Sequence, residues 1–355
     1  MLKLNFGIKR NSILKMALLS AITISTWSCG GEQADKPNVE DVNVKIDSRR
    51  LDKDLYSIDT NNVAAGLQQL SAKYPDFLNF YLDTLLGFGI NGNFADTAGP
   101  VKFGVRGFIT FKDYRGLYDT VIKHYPDTKG IDEELADGFK YTKHYFPAYK
   151  EPKVIYLISG LNNWGAFTYG DNILGIGLDM FLGQGYPFYQ SVGIPAYMGQ
   201  KLNRNYLPVA AFRAIHQNRF PFQPEEKSLL DMMIVRGKEM YFIDKVLPDV
   251  PKATKLAFTE AQLKWCEENE GMIYNFFVRE NLLYNKEWQR VLRFVNDGPT
   301  SAGMPAQSPG NVGSWVGWQI VDAYVKQNPN ITLQQLLETE IDGQAFLQKS
   351  KYKPR

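Results

Sequence analysis

The chain has 355 residues, 44% hydrophobic, 22% charged and 14% aromatic, a globular composition rather than a disordered one. Its formal charge of +2 is carried by the first 28 residues, which hold Lys3, Lys9, Arg10 and Lys15 and no acid; without these four, 36 basic residues face 38 acidic ones. No basic excess remains to draw the body onto nucleic acid, and that partner class is set aside.

Residues 1–28 read as a bacterial export signal, a basic start followed by the apolar run Met16 to Ile24. Such a run is too short to span a bilayer. It ends in Ser25-Thr26-Trp27-Ser28-Cys29-Gly30-Gly31, where small residues before a lone cysteine resemble a lipobox and make Cys29 the candidate lipidation site. Trp27 and the absence of Leu at Thr26 match the looser lipoboxes of Bacteroidetes. With Cys29 acylated, Cys266 is the one thiol left, so no internal disulfide is expected. Cys266 itself reads as a small buried hydrophobe.

Residues 29–45 are polar and predict a flexible tether. From 46 to 150 the spacing predicts a mainly helical region, with helices over Val63–Tyr74, Asp76–Leu86, Val101–His124 and Ile131–Tyr145. The pattern then changes. Pro152 to Ser159 is a short β-branched run that predicts a buried strand, and Ala166 to Leu182 predicts two more around a Gly170-Asp171-Asn172 turn. Gly175 and Gly177 lack the third glycine and the lysine of a phosphate loop, so they are expected where strands approach closely.

Helices are expected again at 206–219, about 225–245, about 255–284 and about 313–327. Gly313 and Gly317, four apart, predict close approach of a second helix. Asn296 to Asn311 reads as a long polar loop that could close over a cleft. The whole reads as an α+β fold, mainly α: a helical region over 46–150 precedes a second region over 151–355 whose small sheet packs on helices. The two together are expected to form one compact unit.

The stretch Tyr206 to Phe220 resembles a zincin active-site helix with its chemistry removed. A zinc protease carries H-E-x-x-H here, two histidine ligands one turn apart and a glutamate base. This chain has His216, then Gln217 at the base position, then Phe220 at the second ligand position. An amide accepts no proton near neutral pH and a phenyl ring binds no metal. His216 on an apolar face is expected to be a hydrogen-bonded core histidine.

The segments 145–163 (YFPAYKEPKVIYLISGLNN), 171–183 (DNILGIGLDMFLG) and 308–325 (SPGNVGSWVGWQIVDAYV), together with the lipobox, resemble the GldB gliding-motility lipoproteins of Bacteroidetes. The GldB family in turn resembles gluzincin-type peptidases in layout. The resemblance implies an envelope lipoprotein, lipid-anchored on the periplasmic face of the outer membrane, that serves gliding motility and type IX protein secretion by binding partners of that machinery. The third ligand position aligns with Arg236, whose permanent charge repels a divalent cation, while Glu239 is expected to face away along the helix. No catalytic residue, metal or cofactor is then expected.

Trp164, Trp315, Trp318 and Tyr324 are candidates for a partner-binding surface. The tryptophans also suit a second reading, a glycan- or nutrient-binding lipoprotein. A third reading, an active zinc metallopeptidase, would need the groups missing at 217 and 220.

Overall fold

The computed structural model describes residues 36–162 and 164–355; the expected signal, Cys29 and the start of the tether lie outside them. The compact body is Val39–Arg355. Residues 39–45, expected in the tether, therefore belong to it: Val44 packs against the core, and the Asn43 carbonyl accepts from Lys143 Nζ at 3.3 Å.

Among the described residues four strands form one sheet in the order β1-β2-β4-β3, with β1 Ser48–Arg50, β2 Lys153–Leu157, β3 Ala166–Tyr169 and β4 Ile173–Gly177. β1, β2 and β4 run parallel and β3 pairs antiparallel with β4. The β3–β4 hairpin turns through Gly170 at φ +59°, a left-handed conformation that glycine adopts at no steric cost. Both strand glycines face crowded space. A Cβ on Gly175 would lie 2.3 Å from the Phe167 ring, and one on Gly177 would lie 2.2 Å from the Trp164 carbonyl oxygen. β1 was not anticipated, since three polar residues carry no periodic signal and its pairing with β2 is made by backbone alone.

Among the helices that position the rest are α1 Lys112–His124, α2 Lys129–Tyr145, α3 Leu207–Arg219, α4 Leu229–Val246, α5 Trp288–Val295, α6 Val312–Gln327 and α7 Gly343–Ser350. α3 starts with Pro208 in its first turn, where the missing N–H costs nothing. α4 starts from Ser228, whose hydroxyl accepts from Asp231 N while Asp231 accepts from the Ser228 backbone, a reciprocal capping box. The helix expected over 255–284 is three pieces, 252–256, 260–268 and 270–279. Its first break is at Ala257, held at φ +57°. Nothing in an alanine announces a stop.

α4 is the central element. α3 and α2 pack on one side of it and α6 on the other. The expected close approach is made by Gly317, where a Cβ would meet Met233 O at 1.7 Å, and by Gly237, where it would meet Gly317 O at 2.2 Å. Gly313 sits in the same way against Phe294 O of α5, at 2.7 Å. The helices before the sheet have an unusual feature. Phe80–Leu85 and Pro100–Val105 wind with the wide π turn, a geometry rare in proteins and frequent at functional sites.

Candidate functional site

The α3–α4 contact holds the residues on which the sequence reading turned. Arg213, His216 and Gln217 stand at i, i+3 and i+4 on α3 and so share a face. Glu239 of α4 meets them. Its Oε1 accepts from Gln217 Nε2 at 2.8 Å, and its Oε2 accepts from Arg213 at 2.8 Å and from Arg236 at 3.5 Å. Arg213 also donates to the Tyr206 hydroxyl at 2.8 Å.

This corrects the expectation for the third ligand position. Glu239 does not face away; three residues from Arg236 it lies on the same side of α4, and Arg236 reaches along the helix to it. The Glu239 side chain is 2% exposed. Burial alone would raise its pKa, but Arg213 and then Arg236 outweigh that and hold the carboxyl well below the usual carboxylate range.

His216 differs from expectation too. It is buried, yet neither ring nitrogen has a hydrogen-bond partner. Its ring stands between Phe220 and Phe242, centroids 5.3 and 5.2 Å away. Burial pushes its pKa down to about 4, so the imidazole is neutral at pH 7. Phe220 is half-buried, with its ring 6.1 Å from that of Phe146, and fills the end of α3.

The residues present do not fit zinc. His216 and Glu239 could ligate, but Gln217, Phe220 and Arg236 could not, and the carboxylate is already held by two guanidinium groups. Replacing Arg213 by a metal would leave a buried cation without its counter-ion. Among the described residues no group of three or more His, Cys, Asp or Glu is placed to hold a metal ion.

Of the four aromatic residues nominated for a partner surface, three are core. Trp315 and Trp318 are buried on α6, and Tyr324 is buried with its ring stacked on Phe346 at 4.0 Å. α6 is apolar over most of its length because α4, α5 and α7 pack against it, and only its last turns carry an exposed pair, Asp322 with Lys326. Trp164 is half-buried, edge-on to Phe167 at 4.9 Å and to Phe80 at 6.0 Å. The loop 296–311 is tied within itself and against the body. Ser301 Oγ donates to Pro309 O at 2.8 Å, Ser301 N donates to Ser308 Oγ at 3.2 Å, and Gly303 abuts the Phe276 ring.

The exposed aromatics are others. Phe103 is 74% exposed and Phe111 58%; they lie eight residues apart, one on the wide-turned helix and one just ahead of α1. Tyr114 joins them, its ring 6.3 Å from Phe111 and 4.7 Å from Phe108. Residues 100–115 around them carry Lys102, Arg106, Lys112 and Arg115 against Asp113 alone. The sequence signal was present as a basic, aromatic segment, but the tryptophans drew the attention.

One further buried group was missed. Asp179 accepts from Ser159 N at 2.8 Å, Ser159 Oγ at 3.0 Å and Leu161 N at 2.8 Å. It thereby clamps the turn after β2, where Gly160 and Leu161 both have positive φ. Burial raises its pKa against the pull of these donors.

A family model described as gliding motility protein GldB matches residues 32–354. The chain belongs to the GldB family. No curated protein and no solved structure matches it. GldB membership carries a role in gliding motility and a lipid-anchored envelope location. Among the described residues no helix is long and apolar enough to cross a membrane, and it is Cys29 that the lipobox offers as anchor.

Proposed function

We propose that this GldB protein is a non-catalytic lipoprotein, held on the periplasmic face of the outer membrane, that serves gliding and type IX secretion by binding a protein of that machinery. The observation that carries the reading is the Arg213–Glu239 ion pair. It occupies the ground between α3 and α4 where a hydrolase would need a free carboxylate and a cation. His216, neutral and without partners, adds no base that another group orients.

The partner surface is the segment of Phe103, Phe111 and Tyr114. Large exposed aromatics on a basic segment suit a partner with an apolar face rimmed by acids. Position supports this. The chain enters the body beside Lys143 and Glu151, before β2, while Phe108 and Tyr114 lie against Gly160, beyond its other end. The first residues of the body thus lie at one end of β2 and the aromatics at the other.

The test is gliding and secretion in cells that carry Phe103→Ser together with Phe111→Ser. We expect both to fall several-fold, with the protein present and folded at normal level, because neither side chain supports the core. Wild-type gliding in the double variant would remove the surface from consideration. One equivalent of bound zinc, with peptidase activity lost in His216→Ala, would overturn the non-catalytic reading.

A further inference from the structure

We propose that the cleft at the carboxyl ends of the parallel strands is a binding site for a neutral saccharide, read by side-chain amides. The cleft has a volume of about 410 Å³ and is lined by the end of α1, the chain that follows β4, the turns before α3, and the end of helix 252–256. Its volume falls in the range of small-ligand sites, and crevices outside the carboxyl ends of parallel strands are where α/β sheets take ligands. It lies apart from the aromatic segment proposed above and does not depend on that reading.

The lining decides the class of ligand. Gln200, Asn203 and Asn205 bring three amides to one rim. Each offers donors and an acceptor from one planar group, which matches hydroxyls that donate and accept from neighbouring carbons. Tyr125 and Phe181 form an apolar wall and are fixed in place, the Tyr125 hydroxyl donating to the Phe181 carbonyl. Among the lining residues there is no carboxylate. Their one guanidinium, Arg204, is held by both oxygens of Glu134 at 2.9 and 3.1 Å. With that charge already matched, a phosphate or carboxylate gains little from the cleft, whereas a polyhydroxylated neutral ring can use the Gln200 and Asn205 amides and the Asn203 NH2, the Asn203 Oδ1 already accepting from Gln184 N at 3.2 Å.

Two sources supply such a ring in an envelope, an acetamido-sugar polymer and a plain glucan. The full-length lipidated chain, in a detergent without a sugar headgroup, is titrated by calorimetry with N,N′-diacetylchitobiose and with maltose. Glucose 6-phosphate and triglycine serve as the charged and the peptide comparison. We expect at least one neutral disaccharide to bind with Kd of about 1 mM or tighter, and which one binds assigns the source. Asn205→Ala, at an exposed position, and Gln200→Ala each weaken that binding about tenfold, one hydrogen bond's worth, with an unchanged circular dichroism spectrum. The proposal is overturned if neither disaccharide binds, if the phosphate or the peptide binds as tightly, or if both substitutions leave saccharide binding intact.

Discussion

At the scale of single residues, the α3–α4 contact holds a polar cluster in which Glu239 takes Arg213, Arg236 and Gln217 as partners. His216 was legible as a buried histidine on an apolar face; its lack of partners was not, because that depends on what α4 brings across. Nor was Arg213–Glu239 legible, a pair 26 residues apart that helix spacing alone does not reveal. His216 gives a pH signature. Its folded pKa of about 4 lies below the ordinary 6.5, so the unfolded chain takes up the proton first. Stability is complete above pH 6.5 and declines as pH falls toward 4, by roughly 3 kcal/mol for this one group. His216→Phe, which places a third phenyl ring between Phe220 and Phe242, should remove that slope and raise the urea midpoint at pH 5. An unchanged slope would show the imidazole to be solvated. Writing an H-E-x-x-H motif into α3 makes a second test. Gln217→Glu with Phe220→His should still bind no zinc by atomic spectroscopy, because Arg213 and Arg236 keep Glu239; adding Arg213→Ala with Arg236→Ala is the change that should let metal in.

At the scale of elements, what was local was readable. α3 lies within a residue or so of its expected limits because apolar spacing and Pro208 mark it. The β3–β4 hairpin stands on its Gly-Asp-Asn turn, and Gly313 and Gly317 announced close helix contacts, which they make with α5 and α4 respectively. What needed the third dimension was not readable. β1 is polar and three residues long, Ala257 breaks a helix without a breaker's side chain, and Trp315 looks the same in sequence whether it faces water or the core. The α4–α6 contact gives the sharpest stability test. Gly317→Ala places a methyl where Met233 O already stands, so the helices must part. We expect a loss of about 3 kcal/mol or more in urea unfolding, against well under 1 kcal/mol for alanine at Gly116, where a Cβ meets nothing within 4 Å.

At the scale of the whole molecule, residues 39–355 close around one continuous core that joins the helices before the sheet to those after it. The expected halves at 46–150 and 151–355 are stretches of sequence in one body, with Tyr81 donating to Ile158 O at 2.8 Å across them. That body contains a single cysteine and so no internal disulfide. Cys266 is fully buried, and burial raises its thiol pKa to about 12, so almost none of it is thiolate at neutral pH. The body 39–355 thus carries no cross-link of its own to form, to mispair or to lose. Its melting temperature should be the same with and without dithiothreitol, and it should mature in cells stripped of their periplasmic thiol oxidase.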